Sequence, residues 1–295
     1  MQRHSRRSPQ KTPQPDVVEG RWLVKAFAGV VAAALLCTYA TLCLLFYRGQ
    51  WQLVLHPVRT TGPASQDEIR FASEATGQPQ LAGEWLPATA SNRYNQLTVL
   101  FLPGGDGTTA SFSSTQTALR EIGVNVFTFD YRGYGRSASM HPSEERMRQD
   151  TEHAWDYLTS TRHIAASRIV PYGVGVGASL AAELVSRHVE IPAVILDSPY
   201  TDLRQVIGND SRFRFLPAAM LFHEDFPLRA PLARLQRPKL LIFHAGSGLP
   251  EAFQAAAAPK SIREVDASTG PGFAEAVKGF LTQVLPVSST APMAK

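Results

Sequence analysis

Twenty-two consecutive residues, Ala26–Tyr47 (AFAGVVAAALLCTYATLCLLFY), carry neither a charge nor a proline. As a helix rising about 1.5 Å per residue, the run reaches ~33 Å, enough for a bilayer core of roughly 30 Å. A signal-peptide core runs only about 7–15 residues and ends at small residues. Here Leu42, Leu44, Leu45 and Phe46 extend the apolar run past any such point. A lipoprotein signal needs a small residue before its cysteine, and Cys37 and Cys43 both follow leucine. The run therefore reads as a retained anchor, with a buried helix as the alternative. Before residue 26, Arg3, Arg6, Arg7, Lys11, Arg21 and Lys25 stand against Asp16 and Glu19, which supplies the whole net charge of +4. The positive-inside rule predicts a cytoplasmic N-terminus and a C-terminal domain on the outer (periplasmic or extracytoplasmic) side. Trp22, Tyr47 and Trp51 fall where the two interfaces would lie.

This divides the chain into a disordered basic tail (1–21), a transmembrane helix (22–47), a large domain (48–285) and a frayed tail (286–295). The domain is close to neutral, so it offers nucleic acid no electrostatic footprint. Two cysteines, both inside the apolar run, exclude a disulfide scaffold and a Cys-rich metal site. No metal-spaced histidine pair, Walker loop or EF-hand pattern is present, and the reading calls for no metal and no cofactor.

Within the domain, apolar runs at Leu97–Leu102, Val124–Phe129, Arg168–Tyr172, Ala193–Asp197, Lys239–His244 and Ile262–Val265 predict strands covered on both faces, as in a parallel sheet. Ile69–Ala72 and Leu81–Leu86 predict a leading antiparallel pair. Helical segments intervene, clearest at 143–160, which opens on Ser143-Glu144-Glu145 and carries Met147, Ala154, Trp155 and Leu158 on one side. The alternation predicts an α/β fold, with ligands bound at the strand C-terminal ends.

The loops at those ends carry the motifs. Leu102-Pro103-Gly104-Gly105-Asp106-Gly107 follows the first parallel strand, and FDYRGYGRS (129–137) follows the second. The third strand turns into a helix through Tyr172-Gly173-Val174-Gly175-Val176-Gly177-Ala178-Ser179, and the fourth ends in DSPYT (197–201). Together with PKLLIFHAG (238–246), these stretches resemble the α/β-hydrolase superfamily, especially its membrane-anchored α/β-hydrolase-domain proteins with serine esterase or lipase relatives. The likeness runs from about residue 50 to 285. It implies a mostly parallel sheet flanked by helices, a cap insertion at about 200–238, and a Ser–Asp–His triad.

Residue by residue, the implied triad is absent. The nucleophile place in G-x-S-x-G holds Gly175, the acid place after His244 holds Gly248, and the histidine place before the last helix holds Phe273. Triad order in this fold is nucleophile, acid, histidine, and no histidine follows His244. Without a base a serine hydroxyl stays a poor nucleophile. Glycine at the elbow relaxes a strained turn. It leaves the Gly105 and Val176 N–H groups able to form an oxyanion-like nest, within a pocket built from Gly104, Gly105, Asp106, Val176, Ser198 and Tyr200.

Other candidates read structurally: Ser179 packs or caps inside a helix, Asp130 anchors hydrogen bonds, and Asp106 and Ser198 form turns. His244 reads as a satisfied, half-buried histidine. Gly173-x-Gly175-x-x-Ala178 followed by Asp197 also imitates a dinucleotide fingerprint, although two parallel strands already precede it. The basic cap with Phe213, Phe215, Phe222 and Phe226 faces lipid headgroups or an anionic ligand on one reading, and is a solvated lid on the other. The expected function is a binding or scaffold pseudoenzyme, attached to the membrane through residues 26–47 and taking a small acyl or lipid-like ligand or a protein partner. The alternative is a divergent serine hydrolase (esterase, lipase or thioesterase-like) using Ser198 or Ser179 with Asp106 or His244.

Overall fold

Val, Ile, Leu and Phe fill runs of five or six residues, too short for a buried helix and long enough for one strand across a sheet. The computed structural model describes residues 20–61, 67–73, 77–200 and 203–284. The two expected tails lie outside these, apart from Gly20 and Arg21. The runs form β1 (Glu68–Ser73), β2 (Pro79–Leu86), β3 (Thr98–Leu102), β4 (Asn125–Asp130), β5 (Ile169–Val174), β6 (Val194–Asp197), β7 (Lys239–His244) and β8 (Lys260–Val265). They pair in one sheet in the order β1-β2-β4-β3-β5-β6-β7-β8. β2 is antiparallel to β1 and β4, and every other neighbouring pair is parallel. The central strands are buried throughout, with Leu100, Phe101, Phe127, Val170 and Leu240 fully inaccessible.

The chain divides into two units at Phe46/Tyr47. The first contains most of helix α1 (Gly20–Gly49). Among the described residues, it is the one helix long and apolar enough to cross a membrane. Its Phe27, Leu35 and Leu36 are each about two-thirds exposed, and apolarity without a covering partner suits a lipid surround. Thr38 and Thr41 turn their hydroxyls back onto the Ala34 and Cys37 carbonyls, which leaves no polar group facing outward from them.

In the second unit, α2 (Ser113–Ile122) stops at Gly123, whose φ of 108° is open to glycine. Helix α3 (Glu144–Asp156) starts where Ser143 accepts the Arg146 N–H. Helix α4 (Val176–Arg187) follows β5, and α9 (Pro271–Val284) closes the domain. The 199–238 insertion is built from short helices, α5 (Leu203–Asn209), α6 (Ala218–Leu221) and α7 (Arg229–Arg234), and α8 (Glu251–Ala255) follows β7.

FDYRGYGRS proves to be a polar knot that fixes the loop after β4. Asp130 accepts N–H groups from Thr109 and Arg136 at 2.9 and 3.2 Å, the anchoring role expected of it. The Arg132 side chain meets buried Asp150 of α3 at 2.5 Å. Burial pushes the Asp150 carboxyl up to about 6, against the opposing pull of Arg132. At the other end of the sheet, Lys239 opens β7 fully buried and donates to the Leu235, Ala257 and Pro259 carbonyls at 2.8, 2.8 and 3.2 Å. Desolvation, and then Lys260, lower its amine to about 8.

Candidate active site

The strand-to-helix turn after β5 keeps its geometry without its hydroxyl. Gly175 sits at φ 56°, ψ −119°, a conformation that strains any residue carrying a Cβ. Gly173 and Gly177 are required by packing. A Cβ on Gly173 would run into the Gly177 carbonyl, and one on Gly177 into the Leu102 carbonyl. Gly175 differs, since a Cβ there would meet Gly104 and the Tyr200 ring at an ordinary 3.7 Å. Space for a side chain remains, under a tyrosine that stands over the turn.

The loop after β3 lies alongside. Gly105 is wedged among Leu55, Val54 and the Val176 side chain, and its carbonyl accepts the His56 N–H at 2.7 Å and the Tyr134 hydroxyl at 2.8 Å. Val176 opens α4, so its N–H has no carbonyl within the helix to bond. Gly105 thus lies beside the first residue of α4. Asp106 is exposed. Burial first, and then its charge, push the Tyr134 and Tyr200 hydroxyls above their ordinary range.

The acid and histidine places differ from the sequence reading. Gly248 lies in an exposed turn at φ 73°, with nothing near its missing side chain. Phe273 is not on the terminal loop. It is the third residue of α9 and is buried in the core against Tyr172, with ring centroids 6.3 Å apart. The sequence noted Asp197 only as a strand end and a dinucleotide-like acid, and it missed Ser268. Asp197 ends β6, opposite Val174 in register, and its carbonyl accepts the Gly175 N–H at 3.1 Å. Its buried carboxylate accepts hydroxyls from Tyr172 (2.6 Å), Ser268 (2.5 Å) and Ser198 (2.8 Å). Ser268 comes from the β8–α9 loop, where the fold supplies its histidine, and its Oγ lies 2.8 Å from His244 Nε2. His244 Nε2 is 3.6 Å from Asp197. Asp197 is thus tied to the last loop through Ser268. The only sequence signal was the D-S-P after β6. Nothing in the pattern revealed that Ser268 reaches it.

Ser198 carries φ 43°, strained for a residue with a Cβ, and its hydroxyl is spent on Asp197. Ser179 donates to the Phe226 carbonyl at 2.6 Å in a buried setting, the packing role expected. The dinucleotide imitation fails on two contacts: Tyr200 occupies the approach to Gly175, and three hydroxyls saturate Asp197. Beyond Tyr200, a cavity of about 900 Å³ lies between the cap and α8, lined by Val206, Phe226, Leu228 and Ala233 with Arg204 and Asp225. Phe222 and Phe226 are buried, so the cap's aromatic face is smaller than four phenylalanines suggest. Three of its six arginines are ion-paired: Arg204 with Asp225, Arg212 with Asp210, and Arg229 with Glu251.

With strand order and elbow in view, the chain belongs to the serine aminopeptidase S33 family of α/β hydrolases, whose sequence model matches residues 94–280. It is 28% identical over 180 residues to an uncharacterized protein of Mycobacterium tuberculosis, covering 61% of each chain. To alpha/beta hydrolase domain-containing protein 17C of Homo sapiens it is 29% identical over 173 residues, 58% of this chain and 49% of that one. The chain thus spans between about half and three-fifths of the length of these relatives. Among solved structures, the Pyrococcus furiosus esterase Pf2001 superposes with a TM-score of 0.59 at 19% identity, over 79% of this chain and 98% of that one. An acetyl xylan esterase from Paenibacillus sp. R4 gives 0.53 at 17% identity, over 77% and 87%. These likenesses establish the fold.

Proposed function

We propose that the protein is a membrane-anchored α/β-hydrolase-fold domain that has lost hydrolase chemistry and serves as a binding or scaffold protein. Its ligand would be a small acyl or lipid-like molecule, for which the cavity beyond Tyr200 offers space, or a protein partner. The observation that carries the reading is Gly175, which leaves the elbow with no hydroxyl to attack a carbonyl. The absence of any histidine after His244 supports it, because no base comes from the last loop. The test is reaction of the purified chain with a fluorophosphonate probe, beside ester and thioester turnover. No label and no turnover above background are expected, and stoichiometric labelling of any serine overturns the reading.

One contact favours the alternative, a divergent serine hydrolase. Ser268 is partly exposed, and its Oγ lies within hydrogen-bond reach of His244 Nε2. Against this, the Ser268 proton is directed to Asp197 at 2.5 Å, so the imidazole acts as donor to the serine rather than as its base. Label mapped to Ser268 and abolished by His244→Gln would establish this second reading. For the anchor, a reporter active only outside the cytoplasm, fused after Lys295, is expected to be active. Activity solely from a cytoplasmic reporter reverses the topology.

A further inference from the structure

We infer that the exposed edge of the cap around Phe215 and Met220 is a second membrane contact, resting on a bilayer surface that carries anionic lipid. The inference rests on the anchored reading of the apolar run and adds a surface to it. Four observations bring the cap edge to the interface. Phe215 is 73% exposed and Met220 85%, the most exposed large apolar side chains of the second unit. Arg214 stacks its guanidinium over the exposed Phe215 ring at 4.4 Å, whereas Arg212, over half-buried Phe213, is already paired with Asp210. A cation beside an exposed aromatic ring is the pairing that suits a headgroup layer, where the ring enters and the charge stays with phosphate.

The third observation fixes position. Gln50, three residues past the apolar run, is fully buried. Its amide donates to the Tyr47 and Leu221 carbonyls at 3.0 Å each and lies 2.6 Å from His223 Nδ1, while its Oε1 accepts the His223 N–H at 2.6 Å. The Tyr47 and His223 rings lie 4.6 Å apart between centroids. The cap segment is therefore bolted to the residues where the chain would leave the bilayer. Met220 is one residue, about 3.8 Å of backbone, from Leu221. Met220 therefore lies next to the junction that Gln50 makes between Tyr47 and Leu221.

The fourth observation is where the cap's other aromatic side chains go. Of the cap's other phenylalanines, Phe222 and Phe226 are buried and Phe213 is half-buried, so Phe215 and Met220 are not the outer side of an under-packed core. They stand outward from a cap already closed beneath them.

The test uses the full chain with Cys37→Ser and Cys43→Ser, carrying one environment-sensitive nitrobenzoxadiazole label at Met220→Cys, Phe215→Cys or Val189→Cys. Val189 is also exposed, in the loop before β6 at the N-terminal end of that strand, whereas the cap follows its C-terminal end. The chain is reconstituted in phosphatidylcholine vesicles with and without phosphatidylglycerol, and spin-labelled lipid serves as quencher. Labels at 215 and 220 are expected to lose roughly half their emission in the anionic vesicles, as side chains about 5–10 Å into the boundary should, while 189 stays unquenched. Arg214→Glu should abolish the dependence on phosphatidylglycerol. Equal quenching at all three sites, or none at 215 and 220 while the chain still floats with the vesicles, overturns the inference and leaves the anchor standing. A chain that does not float overturns the anchor itself, and this surface with it. Labels shielded but unquenched, on a chain that sediments as a dimer, assign the patch to a second copy and also overturn it.

Discussion

At Gly175 the backbone angle and the missing hydroxyl pull in opposite directions. Gly175→Ser has room beside Gly104 and Tyr200, yet it places a Cβ at φ 56°. That should cost about 1–3 kcal/mol, measured as a lower denaturant midpoint with no gain in nitrophenyl ester hydrolysis. The contacts of Ser268 sharpen this. Gly175→Ser with Ser268→His places an imidazole beside Asp197, the acid already present, and should exceed the single variant by roughly 10²-fold or more. The triple change Gly175→Ser, Gly248→Asp, Phe273→His follows the sequence alignment instead. It should show no such gain and should lose on the order of 3–5 kcal/mol, because Phe273 is core packing. Equal activity of the single and double variants would remove Ser268 from the histidine place. Gly175 was legible because the elbow glycines are contiguous in sequence. Ser268 was not, because its role depends on a loop folding back over a strand about seventy residues upstream.

Elements were read more faithfully than side chains. Each of the eight strands falls within about two residues of its apolar run, since burial on both faces leaves a mark in the composition of the central strands, although the last strand, β8, expected to be covered on both faces, is largely exposed at the sheet edge. The cap was legible only as an interruption between Pro199 and Pro238, because short helices without a sustained period carry little signal. Its attachment was invisible for the same reason. The cap is latched at two points, Gln50 on one side and a reciprocal pair on the other. In that pair Glu224 accepts the Glu144 N–H and Glu144 accepts the Phe226 N–H, at 2.5 and 2.9 Å. Gln50→Ala removes the first latch. Hydrogen exchange at the His223 amide should then quicken by roughly tenfold to a hundredfold, with the β3–β5 amides unchanged. Unchanged exchange at His223 would show that the second latch alone holds the cap.

The molecule as a whole carries buried ionisable groups whose titration sets its pH response. Asp150, raised to about 6 from an ordinary 3.8, binds its proton more tightly folded than unfolded. Stability from this group therefore rises as pH falls from about 7 toward 4. Thermal unfolding at pH 5 and 7.5 should show wild type gaining more on acidification than Asp150→Asn, whose amide keeps an acceptor for Arg132 without titrating; an equal gain in both would assign the response elsewhere. Lys239 works in the opposite limb. Lowered to about 8, it favours the folded state increasingly as pH climbs from there toward 10.5. It also has a kinetic consequence. No acylating reagent can reach an ammonium enclosed by three carbonyls until the sheet edge opens. Where reclosing is slower than modification, the rate at which Lys239 is acetylated becomes independent of reagent concentration and equals the opening rate of β7 and β8. The chain thus carries its own unfolding clock, readable by mass spectrometry at one residue while the exposed lysines report only reagent chemistry.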